Sequence, residues 1–168
     1  HKLIGYVPQK GILFGGTIES NILFGQSDTD HELMEEAASI AQAKDFIDEK
    51  SEGYLFEVSQ GGNNVSGGQR QRLSIARAIA KKPPIYIFDD SFSALDYKTD
   101  QKLRKMLDER IHSTKLIVAQ RINTIRYANQ IIVLDQGTIV GKGTHQELMA
   151  SCSVYQEIAS SQLSKEEL

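Results

Sequence analysis

Short apolar runs, bounded by Pro, Gly and polar residues, predict a series of strands along the chain. The run Ile85–Phe88 is short enough for a strand that is buried on both faces, as in a parallel sheet. Lys115–Ala119 has the same character. The predicted strands are LIGYVPQ (3–9), Ile85–Phe88, Lys115–Ala119, and a hairpin with arms 131–134 and 138–141 around Asp135–Gly137.

Polar residues at helix-capping spacing separate these strands and predict the helices. Ser66 followed by Gln69 forms a capping box, and Pro83 ends the amphipathic helix that follows. Residues 51–65 are rich in Gly, Asn and Ser and predict a loop. The predicted helices are 30–42, capped by Thr29 with Glu32; Ala43–Glu49; the helix after Ser66; a helix capped by Asp96; and a last one capped by Thr144 with Glu147.

Strands that alternate with helices indicate an α/β fold. The segment 15–80 is mostly helical and contains no predicted strand, so we interpret it as an insertion into the sheet. The predicted organisation has four parts: a core strand and the following loop at 1–14, a helical subdomain at 15–80, the rest of the core at 81–159, and a polar tail at 160–168.

Composition narrows the possible functions. The 168 residues, 40% of them hydrophobic, suit one ordinary domain, and a net charge of −3 gives no reason to expect nucleic acid as a partner. Arg70, Arg72 and Arg77 are therefore interpreted as a solvated helix face. The single Cys152 excludes an internal disulfide, and no Cys/His spacing resembles a zinc site. No apolar run approaches the ~20 residues of a membrane span. His1 opens directly on strand-like sequence, so we expect a longer polypeptide upstream.

Two carboxylates stand directly after an apolar strand. In IYIFDD (85–90), Asp89 and Asp90 follow four apolar residues. A buried carboxylate is costly unless it is paired or binds a metal. The pattern therefore predicts a site for a cation and an activated water, and a solvated turn or a helix cap is the alternative.

The stretch NNVSGGQRQ offers a second candidate site. Gly67 and Gly68, directly after the capping Ser66, let another molecule approach the first helical turn closely. That turn carries unpaired backbone N–H groups and the positive end of the helix dipole, so it favours an anion. A Ser-Gly-Gly cap is also an ordinary helix start, but the strand ending in Asp-Asp that follows makes the functional interpretation more specific.

Several motifs together resemble those of ATP-binding cassette (ABC) ATPases, in family order and over nearly the whole chain. The resemblance implies a P-loop NTPase (RecA-like) core with an inserted α-helical subdomain, and ATP and Mg²⁺ as ligands. The motifs are YVPQ (6–9) with the Q-loop Gln9, the exporter-like flank LFGGTIESNILFG (13–25), the signature VSGGQ (65–69), the Walker B strand IYIFDD (85–90), the D-loop SALD (93–96), and the exporter-like C-terminal stretch GKGTHQEL (141–148).

The resemblance implies a role for each matching residue. Asp89 would hold Mg²⁺, mainly through water, and Gln9 would sense the metal and the γ-phosphate. Asp90 would polarise the attacking water, and Tyr6, in the strand before the Q-loop, would belong to the core. The implied nucleotide-binding residues are Gln9, Val65, Ser66, Gly67, Gly68, Gln69, Ser93 and Asp96.

Three departures from the family pattern stand out. No G-x-x-x-x-G-K-[ST] phosphate loop occurs, and Gly141–Gly143 is only superficially like one. The resemblance places that N-terminal phosphate-loop part before His1, so we expect the chain alone to bind ATP poorly. Asp90 stands where active cassettes carry glutamate, and a misplacement of about 1 Å can cost on the order of 10²-fold in rate. Gln120 stands where the family has its H-loop histidine, and glutamine cannot become cationic.

Both substituted catalytic positions fall on the chain's own site, whereas the signature motif is intact. ABC cassettes pair head to tail, each ATP lying between the Walker motifs of one subunit and the signature motif of the other. The resemblance therefore implies the degenerate half of a heterodimer, whose signature motif completes the active site of a non-identical partner cassette.

We therefore expect an ATPase component of a membrane exporter, at the cytoplasmic face of the cell membrane. The segment around Gln9–Asn21 would contact the coupling helices of the transmembrane domains. Two alternatives remain: a soluble ABC ATPase without a membrane part, and a non-catalytic interaction module in which ATP governs dimerisation only.

Overall fold

The computed structural model describes residues 3–26 and 30–163, and the chain forms two compact units, His1–Val118 and Ala119–Leu168. The strands are β1 Ile4–Val7, β2 Gly16–Thr17, β3 Glu57–Val58, β4 Ile85–Asp89, β5 Thr114–Val118, β6 Ile131–Asp135 and β7 Thr138–Gly143. The helices are α1 Ile18–Ile22, α2 His31–Ile40, α3 Lys44–Asp48, α4 Gly67–Ala80, α5 Tyr97–Arg110, α6 Ile122–Ile125, α7 His145–Ser151 and α8 Ser153–Gln162. Short 3-10 turns cover Gly53–Leu55 and Gln60–Gly62.

The sheet of the first unit is parallel, with β4 between β1 and β5. Val7 lies opposite Phe88, and Asp89 lies opposite Val118. Because parallel strands end at the same edge of a sheet, the loop after β1 and the loop after β4 begin side by side. The predicted candidate residues Gln9 and Asp90 lie in these two loops.

Among the described residues, the sheet is covered on one face only, whereas the sequence predicts strands buried on both faces. Tyr86 and Phe88 are fully buried, and α4 packs against β1 on that side. Ile85, Leu116 and Val118 point to the opposite face and are 39 to 54% exposed. An apolar strand sequence shows that both faces of the strand are apolar. A face is buried only if another element packs on it, and among the described residues no element packs on this one.

The segment predicted as a helical insertion contains α1 to α4 and one small ladder. Gly16 pairs with Val58 and Thr17 with Glu57, in an antiparallel pair too short to show a periodic pattern. The predicted capping box of Thr29 with Glu32 lies partly outside the described residues. α2 begins after Asp30, whose carboxylate accepts a hydrogen bond from the N–H of Leu33.

The arginines of α4 are not a solvated face, contrary to the sequence-based expectation. Arg77 donates to the carbonyl of Asn21 at 2.8 Å and lies 5.0 Å from the ring centroid of Phe14. Burial lowers the pKa of Arg77 to about 10. Arg72 stacks on Phe46 at 4.7 Å. These side chains bind preceding parts of the chain to α4 through contacts with carbonyl groups and aromatic rings. Sequence spacing does not reveal such contacts.

The second unit packs the β6–β7 hairpin against α7 and α8. The predicted hairpin is confirmed, with Gln136 and Gly137 at positive φ in its two-residue turn. The capping box of Thr144 and Glu147 starts α7. Residues 160–162, expected to begin a polar tail, continue α8. Among the helices of the described ranges, none combines the length and apolar character needed to cross a lipid bilayer.

Candidate functional site

Asp89 and Asp90 form the carboxylate pair at the end of β4. Asp89 is the last residue of the strand, and both residues are half-buried. The N–H of Asp90 donates to the carbonyl of Val118 at 2.9 Å. Asp90 has φ of 45°, in the left-handed region that aspartate tolerates better than most residues. The chain therefore turns sharply after the strand and presents the two carboxylates separately.

Gln9 meets Asp90 across the edge of the sheet. It follows β1, is exposed, and donates from Nε2 to Oδ2 of Asp90 at 3.0 Å. The structure thus brings together the predicted Q-loop glutamine and the predicted water-activating carboxylate. The amide nitrogen of Gln9 is directed at Asp90, so its carboxamide oxygen is the atom that could ligate a cation.

Tyr6 contacts this site and, among the described residues, lies outside the core in which it was expected. Its hydroxyl donates to Oδ2 of Asp89 at 3.0 Å, and the residue is 54% exposed. The hydrogen bond to Asp89 raises the pKa of the Tyr6 hydroxyl, and desolvation and the charge of Asp89 act in the same direction. The phenol is therefore a neutral donor at physiological pH. Tyr6 lies opposite Ile87, so strand alternation places it on the same face as Asp89.

Ser91 connects the loop after β4 to the end of β1 through a buried hydrogen bond. It is fully buried, and its hydroxyl donates to the carbonyl of Val7 at 2.8 Å. The loop after β4 is thereby fixed to the end of β1, immediately before Pro8 and Gln9. No motif in the sequence marks this serine, because its partner lies 84 residues away.

The predicted signature turn has the expected local structure. The N–H of Gln69 donates to the Ser66 hydroxyl at 3.2 Å, and the Gln69 side chain accepts from the Ser66 N–H at 3.0 Å. Gly67 is exposed, so its backbone is open to an approaching group. Val65 is 7% exposed and packs in the core, which leaves its backbone as the part available to a ligand.

The predicted D-loop lies next to the signature turn of the same chain. A Cβ atom at Gly68 would stand 3.5 Å from the carbonyl of Ala94. The hydroxyl of Ser93 donates to the carbonyl of Asp90 at 2.8 Å. Asp96 caps α5 by accepting from the N–H of Thr99 at 3.0 Å, and hydrogen bonds from Thr99 lower the pKa of Asp96.

Gln120 is the remaining predicted site residue. It lies in the second unit, is exposed, and accepts a hydrogen bond at its carbonyl from the side chain of Gln162 at 2.8 Å. Its functional relation to Asp90 stays a prediction.

The oxygen donors at this edge fit a magnesium ion that shares its ligands with a phosphate chain. Asp89 and Gln9 offer a carboxylate and an amide oxygen, which are hard ligands. Within the described ranges, no three His, Cys, Asp or Glu side chains gather into a metal cluster. Mg²⁺ in such sites is held by one or two carboxylates plus substrate phosphates, so the donor set suits Mg²⁺ with ATP better than a metal alone.

Known proteins resemble this chain in both sequence and structure. An uncharacterized ABC transporter ATP-binding protein of Mycobacterium tuberculosis is 48% identical over 164 residues, which are 95% of this chain and 28% of that protein. A Staphylococcus aureus protein, named provisionally as a multidrug export ATP-binding/permease protein, is 44% identical over 160 residues, again 95% of this chain and 28% of the relative. A bacterial Atm1-family ABC exporter with ATP bound matches with a TM-score of 0.93 and 36% identity, over 98% of this chain and 29% of that one.

The chain thus spans less than a third of the length of each of these relatives. Its α/β architecture, predicted as part of a P-loop ATPase domain, is confirmed by the structural match. Residues 1–93 match the ABC transporter family, and they include Gln9, the signature turn and both carboxylates. Since that match covers more than half of the chain, this polypeptide belongs to the ABC transporter family and represents part of its nucleotide-binding domain.

Proposed function

We propose that this chain is the ATP-binding part of a membrane ABC exporter and contributes unequally to two shared nucleotide sites. Its own site, at the sheet edge with Asp89 and Asp90, hydrolyses ATP slowly, and its signature turn completes the site of a non-identical partner cassette. The exporter relatives support the coarse assignment. The difference between the two parts of the chain supports the unequal roles.

The observation that carries the proposal is the contrast between Asp90 and the turn at Ser66. Asp90 is one methylene shorter than a glutamate and is engaged by Gln9 at 3.0 Å. Its carboxylate would therefore stand too far from a water to act as an efficient base, at a cost on the order of 10²-fold. The Ser66 turn, in contrast, has its capping box complete and its glycines accessible.

Each residue of the chain's own edge has a defined task in this proposal. Asp89, held by Tyr6, and the carboxamide oxygen of Gln9 would together hold Mg²⁺ at this edge. Bound ATP with Mg²⁺ supplies the phosphoryl group and the neutralising charge. Asp90 accepts the proton of the attacking water only slowly. Gln120 donates a hydrogen bond to the γ-phosphate but cannot relay a proton as imidazole does.

The Ser66 turn acts on the other site of the pair. Backbone N–H groups of a helix start attract phosphate oxygens, and Gly67 allows close approach. ATP-driven association of the two cassettes would then drive transmembrane domains, with this chain at the cytoplasmic face of the membrane. The segment around Gln9–Asn21 provides the contact with those domains, because α4 holds it rigidly through Arg77.

The proposal is tested with the full-length protein and its partner in membranes. Replacing the catalytic carboxylate of the partner by an amide should lower ATP hydrolysis by about 10²-fold, since only the site of Asp90 remains. Asp90→Asn in this chain, with the partner intact, should leave most of the activity. Undiminished hydrolysis after the change in the partner, or brisk hydrolysis by copies of this protein alone, would contradict the unequal roles.

A further inference from the structure

Gln71 is a buried polar side chain of α4 to which no motif assigns a role. It is 2% exposed. Its Oε1 accepts from the N–H of Gly11 at 2.7 Å, and its Nε2 donates to the carbonyl of Pro8 at 3.0 Å. Both ends of one carboxamide are therefore in use, and the two backbone groups that they bind flank Gln9.

The loop that carries Gln9 lies directly on α4. A Cβ atom at Gly11 would stand 3.0 Å from both the carbonyl of Arg70 and Oε1 of Gln71, closer than ordinary van der Waals contact. Glycine thus lets the loop lie closer to the helix than a residue with a Cβ atom could without a shift of its neighbours. A buried amide with two partners favours this single arrangement strongly, because separation would leave polar groups without hydrogen bonds and away from water.

The same helix carries the signature turn at its first residues. Gln71 follows Gly67 by four residues, so the two positions lie on the same side of α4, about one turn apart. A helix turn with intact backbone hydrogen bonds moves as one body. Any displacement of the Gln9 loop against the rest of the chain is therefore passed to the signature turn as long as the carboxamide of Gln71 is bound at both ends.

We infer that Gln71 is a positioning residue that fixes the Gln9 loop to the signature helix. Through it, the position of Gln9 at the chain's own nucleotide site and the position of the Ser66 turn at the partner's site are coupled. The inference rests on the proposed function, in which Gln9 senses the metal and the Ser66 turn serves the partner. Without the two hydrogen bonds, Gln9 can still reach Asp90 and Arg77 still binds the carbonyl of Ile12, but Pro8 and Gly11, on either side of Gln9, are no longer bound to α4.

Two substitutions in the full-length pair separate this role from simple packing. Gln71→Leu removes both hydrogen bonds at similar volume. Gln71→Glu keeps an acceptor for Gly11 but sets a second oxygen against the carbonyl of Pro8. Burial raises the pKa of the introduced carboxyl, and its protonated form regains an O–H donor for Pro8. The glutamate variant should therefore recover as the pH falls, whereas the leucine variant should not.

Two quantities are measured at about pH 8 and about pH 6: amide hydrogen exchange of residues 9–12, and the Mg²⁺ concentration at which half of the ATP is retained at the chain's own site. At the higher pH, both Gln71 variants should raise each quantity by roughly tenfold. At the lower pH, Gln71→Glu should approach the unsubstituted protein. Because this comparison uses one variant at two pH values, it remains decisive if Gln71→Leu does not fold.

Gln26→Glu is the matched control. Gln26 also donates from Nε2 to a carbonyl of α4, that of Ala80 at 2.8 Å, but at the other end of the helix. Gln26→Glu should leave the exchange of residues 9–12 unchanged at both pH values. Unchanged exchange in Gln71→Leu, or a defect in Gln71→Glu that is equal at both pH values, overturns the inference. Altered exchange with unaltered Mg²⁺ dependence overturns the coupling and refutes the role proposed for Gln9, not the contact made by Gln71.

Discussion

The hydroxyl of Tyr6 donates a hydrogen bond of 3.0 Å to Oδ2 of Asp89 on the exposed face of the sheet. The two residues lie on adjacent parallel strands, and they share a face because Tyr6 is in register with Ile87. Asp89 is the residue that we expect to face the metal. Its carboxylate is thus held in one orientation by a neutral donor of the same chain.

Tyr6→Phe should weaken the use of Mg²⁺ without disturbing the fold. The phenylalanine ring occupies the same place, but Asp89 loses a donor to one oxygen. A single hydrogen bond contributes about fivefold in a binding constant, so the half-saturating Mg²⁺ concentration for ATP retention should rise by about that factor. Tyr97→Phe, at an exposed tyrosine at the start of α5, is the control. Equal Mg²⁺ dependence in both variants would show that the Tyr6 hydroxyl is irrelevant.

Asp96→Asn should remove a pH dependence from the stability of the chain. Hydrogen bonds from the backbone and side chain of Thr99 lower the pKa of Asp96 in the folded state. The carboxylate therefore contributes stability above its unfolded pKa of about 4, and this contribution is lost as the pH falls through the folded pKa. Asparagine still caps α5 but does not titrate. The difference in Tm between the two proteins should shrink between about pH 6 and pH 3, and a constant difference would refute the role of the charge.

Arg77→Lys should destabilise the first unit despite keeping the charge. Arg77 donates to the carbonyls of Ile12 and Asn21 and stacks on Phe14, and lysine has neither the planar fork nor the stacking surface. The expected loss is about 2–4 kcal/mol in the free energy of unfolding, measured by urea titration. Arg110→Lys, at an exposed position of α5, should stay within about 0.5 kcal/mol. Similar losses in both variants would contradict the contacts described.

Gly11→Ala should separate the Gln9 loop from α4 by steric means. The added methyl group would stand 3.0 Å from the carbonyl of Arg70, which is helix backbone and cannot move aside cheaply. The expected cost is about 1–3 kcal/mol, with faster amide exchange in residues 9–12. Gly15→Ala is the matched control, since its methyl group would meet Gln60 at ordinary contact distances, 3.4 Å from the side chain and 3.7 Å from the backbone nitrogen. Equal stability of the two variants would contradict the close approach at Gly11.

The parts of this structure that depend on residues close together in the sequence could be predicted from the sequence. The capping box at Ser66 and the turn at Gln136 are local, because every atom that decides them lies within a few residues. The site residues Gln9 and Asp90 could also be paired in advance. Both follow strands of a parallel sheet, and such strands end at the same edge.

The parts that depend on distant partners could not be predicted. Tyr6 and Asp89 are 83 residues apart, and Gln71 and Pro8 are 63 apart, so no spacing rule connects them. The same limit explains the error over Arg77, whose partners lie 56 and 65 residues away. A polar residue in a predicted helix indicates a solvated face only when no other segment of the chain packs on that face.

Asp90→Glu combined with Gln120→His should turn this chain's own site into a faster one. The longer side chain moves the carboxylate towards the attacking water, and imidazole restores a group that can carry a proton. In a pair whose partner has lost its catalytic carboxylate, hydrolysis should rise by on the order of 10²-fold over the same pair with Asp90 and Gln120. Each single substitution should give a smaller gain, because in the proposed function both residues serve the same hydrolysis reaction. Phosphate release from the reconstituted pair measures the rates, and an unchanged rate in the double variant would place the limiting defect away from Asp90 and Gln120.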